Sequence, residues 1–274
     1  MRIGLSYLLP VACALLLSAQ VSAQMGVVVG ITGNHLVKVN MENGELMPLA
    51  EIPNLPPAAE LRNLVYIPRD TAFYTTLHTA TGCELVRLRT TGEWKKLGPL
   101  TVGGQAAFFS KGLTYDEATD RLIAGASLDG GPIQGDDRAE ALLVVNRQDA
   151  TCRLLATIRA NPAPNDFDEI AVFNGQLFCL DATPDRDNTY VFPFALRDLT
   201  GELFAGTKQN IGYYTMDDVV LLSHLLYFTD TKTQHLYYFD LMARKLQTVA
   251  PITGPAVLGT IKLTGLAYLP LSQA

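Results

Sequence analysis

Two pairs of adjacent carboxylates, Asp168-Glu169 and Asp217-Asp218, stand 49 residues apart (168 to 217) in a chain of 274 residues. Clustered side-chain oxygens suit calcium, a hard ion that takes roughly six to eight oxygen ligands. Glu169, Asp217 and Asp218 are the residues that would hold it, and calcium is the one cofactor the pattern suggests. The same carboxylates would serve as general acid and base in glycoside hydrolysis if two of them faced each other across roughly 5–10 Å. A structural outcome competes with both: Arg62 and Lys111 would pair with Asp168 and Asp217, because charges crowded at one place have to be satisfied.

Other chemistry is thinly represented. Asp185-Arg186-Asp187-Asn188 alternates oxygen-bearing side chains but has neither the glycine nor the distal glutamate of an EF-hand loop, and reads as a solvated turn. His35, His78, His224 and His235 lack metal-ligand spacing, and no G-x-S-x-G, Walker or dinucleotide-binding element occurs. Tyr213 and Tyr214 would either stack on a sugar or pack beneath the sheet they lead into.

The elements that position these residues form an internal repeat. Leu61-Arg62-Asn63-Leu64-Val65-Tyr66 aligns without gaps with Ser110–Tyr115, Phe167–Val172, Met216–Leu221 and Leu263–Tyr268. Two variable positions are followed by a branched aliphatic, a small or β-branched residue, and an aromatic or aliphatic. Counted at the second position, the steps are 49 (62 to 111), 57 (111 to 168), 49 (168 to 217) and 47 (217 to 264). Strand-like segments repeating at about 50 residues are the signature of propeller blades. Third strands align as well, at 36–40, 85–89, 142–146, 191–195 and 236–240, each running into a polar turn.

No sustained helical period occurs between residues 24 and 274, so the class is all-β: a five-bladed propeller of four-stranded blades. The N-terminal stretch 25–52 supplies three strands and the segment 264–269 a lone one, which completes the first blade and closes the ring. The remaining blades are expected at 61–100, 110–158, 167–207 and 216–252. The single Trp94 falls on an outer strand, which argues against a tryptophan-based lectin repeat.

Gly265-Leu266-Ala267-Tyr268-Leu269-Pro270 and Leu236-Tyr237-Tyr238-Phe239-Asp240 resemble the repeats of the broad NHL, strictosidine-synthase-like and gluconolactonase-like propellers. The resemblance implies architecture. Lactonase-like members are usually six-bladed and hold calcium near the axis between Glu, Asn and Asp, so the blade number here departs from theirs and their catalysis does not carry over.

If each inner strand starts on the upper face, that face gathers Arg62, Asn63, Lys111, Asp168, Glu169, Asp217 and Asp218 around the central opening. It would be basic on blades two and three and acidic on blades four and five. Asp181 and Asp230 end the second strands of blades four and five on the same face. The two longest insertions, 129–137 and 181–188, also fall there, and function tends to sit on such loops.

Residues 1–23 read as a signal peptide: Arg2, an apolar run from Ile3 to Leu17, and small residues at Val21-Ser22-Ala23. A lipoprotein reading at Cys13 competes, on a poor lipobox. The run is too short to span a membrane and no later one is long enough. An exported protein, periplasmic or extracellular, is expected. The formal net charge of −6, with no basic block, argues against nucleic acid as a partner. Cys83, Cys152 and Cys179 are an odd set with no pairing spacing, and read as buried small hydrophobes. The functional expectation is a secreted, non-catalytic propeller that binds a protein or glycan through its upper face. A calcium-dependent, lactonase-like hydrolase and a glycoside hydrolase are the alternatives.

Overall fold

The computed structural model describes residues 26–80, 82–106, 109–127, 140–159, 167–181, 188–204, 209–212 and 214–271. The signal-peptide segment, Tyr213 and most of the two long insertions lie outside them. Five four-stranded antiparallel blades are arranged as a propeller. From the axis outward, blade one comprises Leu263–Pro270, Gly26–Thr32, His35–Val39 and Leu46–Glu51, and blade two Glu60–Ile67, Ala72–Thr79, Gly82–Leu88 and Trp94–Pro99. Blade three comprises Phe109–Asp116, Arg121–Ser127, Glu140–Val145 and Thr151–Arg159, and blade five Met216–Leu222, Leu225–Asp230, His235–Asp240 and Lys245–Pro251.

Blade four, Glu169–Phe173, Gln176–Asp181, Thr189–Ala195 and Gln209–Gly212, departs from expectation at its outer edge. Its fourth strand lies beyond residue 207. The segment before it, Gly201–Phe204, crosses to blade three and pairs in parallel with the outer strand there, Ala156 opposite Gly201 and Arg159 opposite Phe204. Thr101–Val102 lies along the other part of the same strand. Both additions cover an edge whose free N–H and C=O groups would otherwise template further pairing.

The ring closes as the repeat implies. Leu263–Pro270 runs antiparallel to Gly26–Thr32, with Gly26 opposite Pro270 and Gly30 opposite Leu266. Local turn chemistry supports the hairpins. Asn174 and Gly175, both at positive φ (48° and 73°), make the two-residue turn that joins Phe173 to Gln176. Asn40, Asn146 and Asp240 end three of the third strands, and each Oδ1 accepts the N–H of the residue two further on.

Side-chain alternation then builds the core between blades. Tyr66 of blade two packs in the cluster shared with blade one, whereas Val65 packs in the one shared with blade three. Leu221 and Val220 of blade five divide likewise between blades four and one. The strand period of two thus sends neighbouring residues to opposite blades. Among the described residues no helix is long and apolar enough to cross a membrane. Cys83 and Cys179 are buried thiols and Cys152 is half-buried, and burial pushes the Cys83 thiol up to about 12.

Candidate functional site

The inner strands are edge strands on their axial side, so their backbone groups there have no ladder partner. In blades two, three and five the pairing of the inner strand shifts register at the third repeat position, between Arg62 and Leu64, Ser110 and Leu113, and Met216 and Val219. This bulge takes the third residue out of the ladder, and the N–H groups of the fourth residues of blades one, two and five meet one acceptor. Asp218, 2% exposed, accepts Leu64 N–H from blade two (3.0 Å) and Leu266 N–H from blade one (2.5 Å) on Oδ2. Its Oδ1 accepts Val219 N–H at 2.8 Å. Hydrogen bonds from N–H groups to a carboxylate are among the stronger kinds in a protein. Asp218 thus ties together the inner strands of blades one, two and five.

Glu169 crosses the axis from blade four, also buried. Its Oε1 accepts Asn63 Nδ2–H at 3.0 Å. Asn63, in the left-handed region at φ 55°, accepts on Oδ1 the Thr76 hydroxyl at 3.1 Å, and Thr76 Oγ1 lies 3.0 Å from His78 Nε2. A chain of polar contacts therefore runs from His78 to Glu169. Burial, then the positive charge of Arg62, pushes the His78 pKa down to about 4, so the ring is neutral. Lys111 is 5% exposed, with Nζ 3.2 Å from Glu140 Oε1 and 4.0 Å from Asp168 Oδ1.

Arg62 is placed differently from expectation. Its guanidinium grips Glu60, two residues away on its own strand, at 2.6 and 2.7 Å, and Lys262 Nζ holds the other Glu60 oxygen at 2.8 Å. Burial raises the Glu60 pKa, but the Lys262 hydrogen bond and the Arg62 charge outweigh it and hold the carboxyl below its ordinary value. Glu60 stands one residue before the repeat segment, and Thr76 and Glu140 are supplied by other strands, which is why the motif positions alone miss them.

Asp181 is 1% exposed at the end of its strand. Asp230 is folded into its own turn, accepting the N–H groups of Thr215 (3.0 Å) and Thr233 (3.1 Å) and the Thr233 hydroxyl (2.7 Å). Both acids are buried. The side chain of Asp217 lies outside the described residues. Among the described residues no three Asp, Glu, His or Cys side chains converge as a metal requires.

Open space lies at the other end of the axis. A cavity of about 770 Å³ is lined by all five inner strands from their fourth positions downward, including Tyr66, Tyr115, Phe173, Leu221 and Tyr268. It stops at the layer that Asp218 closes. Asn63, Lys111, Glu169 and Asp218 of the expected lip are buried, Arg62 and Asp168 keep part of their side chains exposed, and the cavity lies on the lower side of this layer. A second space of about 570 Å³ lies between blades two and three on that lower side, with Asp70, Arg87, Lys95, Asp120 and Arg147 in its wall.

No protein-family model matches the chain, and no curated protein matches it. Solved structures do. The chain is similar to one in a nidogen/laminin complex, at 17% identity and a TM-score of 0.55, over 91% of this chain and 100% of that one. It is also similar to the PQQ-bound aldose sugar dehydrogenase of Streptomyces coelicolor, at 12% identity and a TM-score of 0.50, over 84% and 82%. A glutaminyl cyclase of Myxococcus xanthus aligns at 12% identity and a TM-score of 0.43, over 77% and 71%. At these identities the first two likenesses are ones of propeller fold alone.

Proposed function

We propose that this chain is an exported, non-catalytic binding propeller that engages a protein or glycan partner through the upper face bearing the insertions 129–137 and 181–188. The observation that carries the reading is the engagement of the axial carboxylates. Asp218, one of the three carboxylates of the calcium-dependent reading, accepts three backbone N–H groups, and Glu169, another of them, accepts from Asn63. A general acid or base has to be within reach of a substrate proton, and these two are buried in ring closure instead. The nidogen chain, similar in fold, occurs in a complex with laminin, which accords with a propeller used as a docking surface.

The test compares the intact chain with one in which 129–137 and 182–187 are replaced by short Gly-Ser turns, on an immobilised array of neutral glycans and on a panel of lactones and aryl glycosides. The reading expects array binding that the shortened chain loses, with no turnover by either protein. Hydrolysis that disappears on adding a calcium chelator, or in Asp168→Asn, would overturn it in favour of an enzyme.

A further inference from the structure

The groove between blades two and three carries a charge pattern that the ring does not need. Arg87 and Lys95 are directly opposite each other in the pairing of the third and outer strands of blade two. Both are exposed and both line the groove. Like charges in directly opposed cross-strand positions destabilise a sheet. Neighbouring cations on the same strands avoid that cost: Lys96 pairs with Glu84 at 2.5 Å, and Arg89 with Glu93 at 3.2 Å. Arg87 instead donates from Nη2 to the Asp70 carbonyl oxygen at 2.9 Å, which fixes the guanidinium without neutralising it.

The two acids of the groove are already committed. Arg147 bridges them, with Nε 2.9 Å from Asp70 Oδ2 and Nη1 2.8 Å from Asp120 Oδ1. Tyr74 and Tyr115 hydroxyls donate to the same carboxylates at 2.8 and 2.7 Å, and Arg69 also pairs with Asp120. The hydrogen bond from Arg147, then that from Tyr115, holds the Asp120 carboxyl down to about 2. With Asp70 and Asp120 neutralised by Arg147 and Arg69, the positive charges of Arg87 and Lys95 remain. In a chain of net charge −6 this is a local cationic site set in a concavity of about 570 Å³.

We propose that this groove binds an acidic saccharide, with a uronate carboxylate seated between Arg87 and Lys95. A carboxylate matches the guanidinium fork and relieves the cross-strand repulsion. The rest of the wall selects for a sugar over an acidic peptide. It places donors and acceptors side by side, through the side-chain amides of Asn146 and Gln148, as hydroxyl groups on successive ring carbons require. Its aliphatic lining is limited to Leu97 and Val145, enough for one ring face and too little for a row of peptide side chains. The volume falls in the range of small-ligand sites. The site is separate from the upper face, so the loop-shortened chain retains it.

Titration calorimetry of the intact chain with digalacturonic acid, lactose and a hexaglutamate peptide tests the assignment. The uronate is expected to bind, more weakly as salt is raised, and lactose not to bind at up to ~10 mM. Arg87→Gln and Lys95→Gln should each weaken binding by about fivefold to tenfold, and the double variant more, with unfolding temperatures unchanged or slightly raised. Absence of uronate binding at ~10 mM, binding undiminished in the double variant, or hexaglutamate binding as tightly as the uronate would each overturn it.

Discussion

Replacing Asp218 by alanine tests the account of how the ring is closed. The substitution removes an acceptor from three backbone N–H groups, two of them supplied by other blades, Leu64 at 3.0 Å and Leu266 at 2.5 Å. Hydrogen bonds to charged acceptors contribute roughly 1.5–3 kcal/mol each, and a buried donor left unsatisfied costs about 1–3 kcal/mol. Water entering from the cavity below would recover part of that for Leu64 and Leu266. Val219, bonded to the adjacent residue, counts for less. The net expectation for Asp218→Ala is a loss of about 3–5 kcal/mol, a large share of a domain stability of roughly 5–15 kcal/mol. Asp218→Asn keeps one oxygen and loses the charge, and should cost about half as much.

Urea denaturation gives the size of the effect, read as a lowered midpoint at constant slope. Amide exchange gives its address: the N–H groups of Leu64 and Leu266 should lose protection first. Both measurements are made with excess calcium and with chelator, and the loss should be equal in the two. A change under ~1 kcal/mol would refute the closure. A loss seen only in the presence of calcium would refute it differently, by making Asp218 a metal ligand.

Two further outcomes follow from the same layer. His78 binds a proton in the unfolded chain near pH 6.5, but in the fold only near 4, so stability should fall as pH is lowered from about 6.5 to about 4, by up to ~3 kcal/mol. In His78→Gln that component of the pH dependence should vanish, and an imidazole titration by NMR placing His78 near 6.5 would contradict it. Gly112 sits at φ 90° with Ile170 N only 2.7 Å from where a Cβ would stand, so Gly112→Ala should destabilise by about 3 kcal/mol or more, measured by thermal unfolding.

What the sequence alone determined was everything that depends on neighbours along the chain. Period-two alternation and turn residues such as Asn174-Gly175 specify strands and hairpins locally, and recurrence of one six-residue pattern specifies how many blades there are. Even the closure was legible, because an N-terminal stretch one strand short and a lone C-terminal strand have only each other as partners.

The tertiary structure decided what each polar residue does. Glu169 and Asp218 look alike in sequence as members of carboxylate pairs. Their roles come from bulges at the third repeat position and from the meeting of unpaired strand edges, which converge only when the blades do. Arg62 grips Glu60, two residues along its own strand, a partner that the repeat positions do not point to. The crossover of Gly201–Phe204 to blade three, which moved the outer strand of blade four past residue 207, has no local signal. The cationic groove is still further from sequence reading. Arg87 and Lys95 oppose each other only through strand register, and their surroundings come from residues 70, 120 and 147 on two blades. Spacing along a chain records which residues are near in sequence. Electrostatics and hydrogen bonding act through distance in space, and the packing of the blades sets that distance.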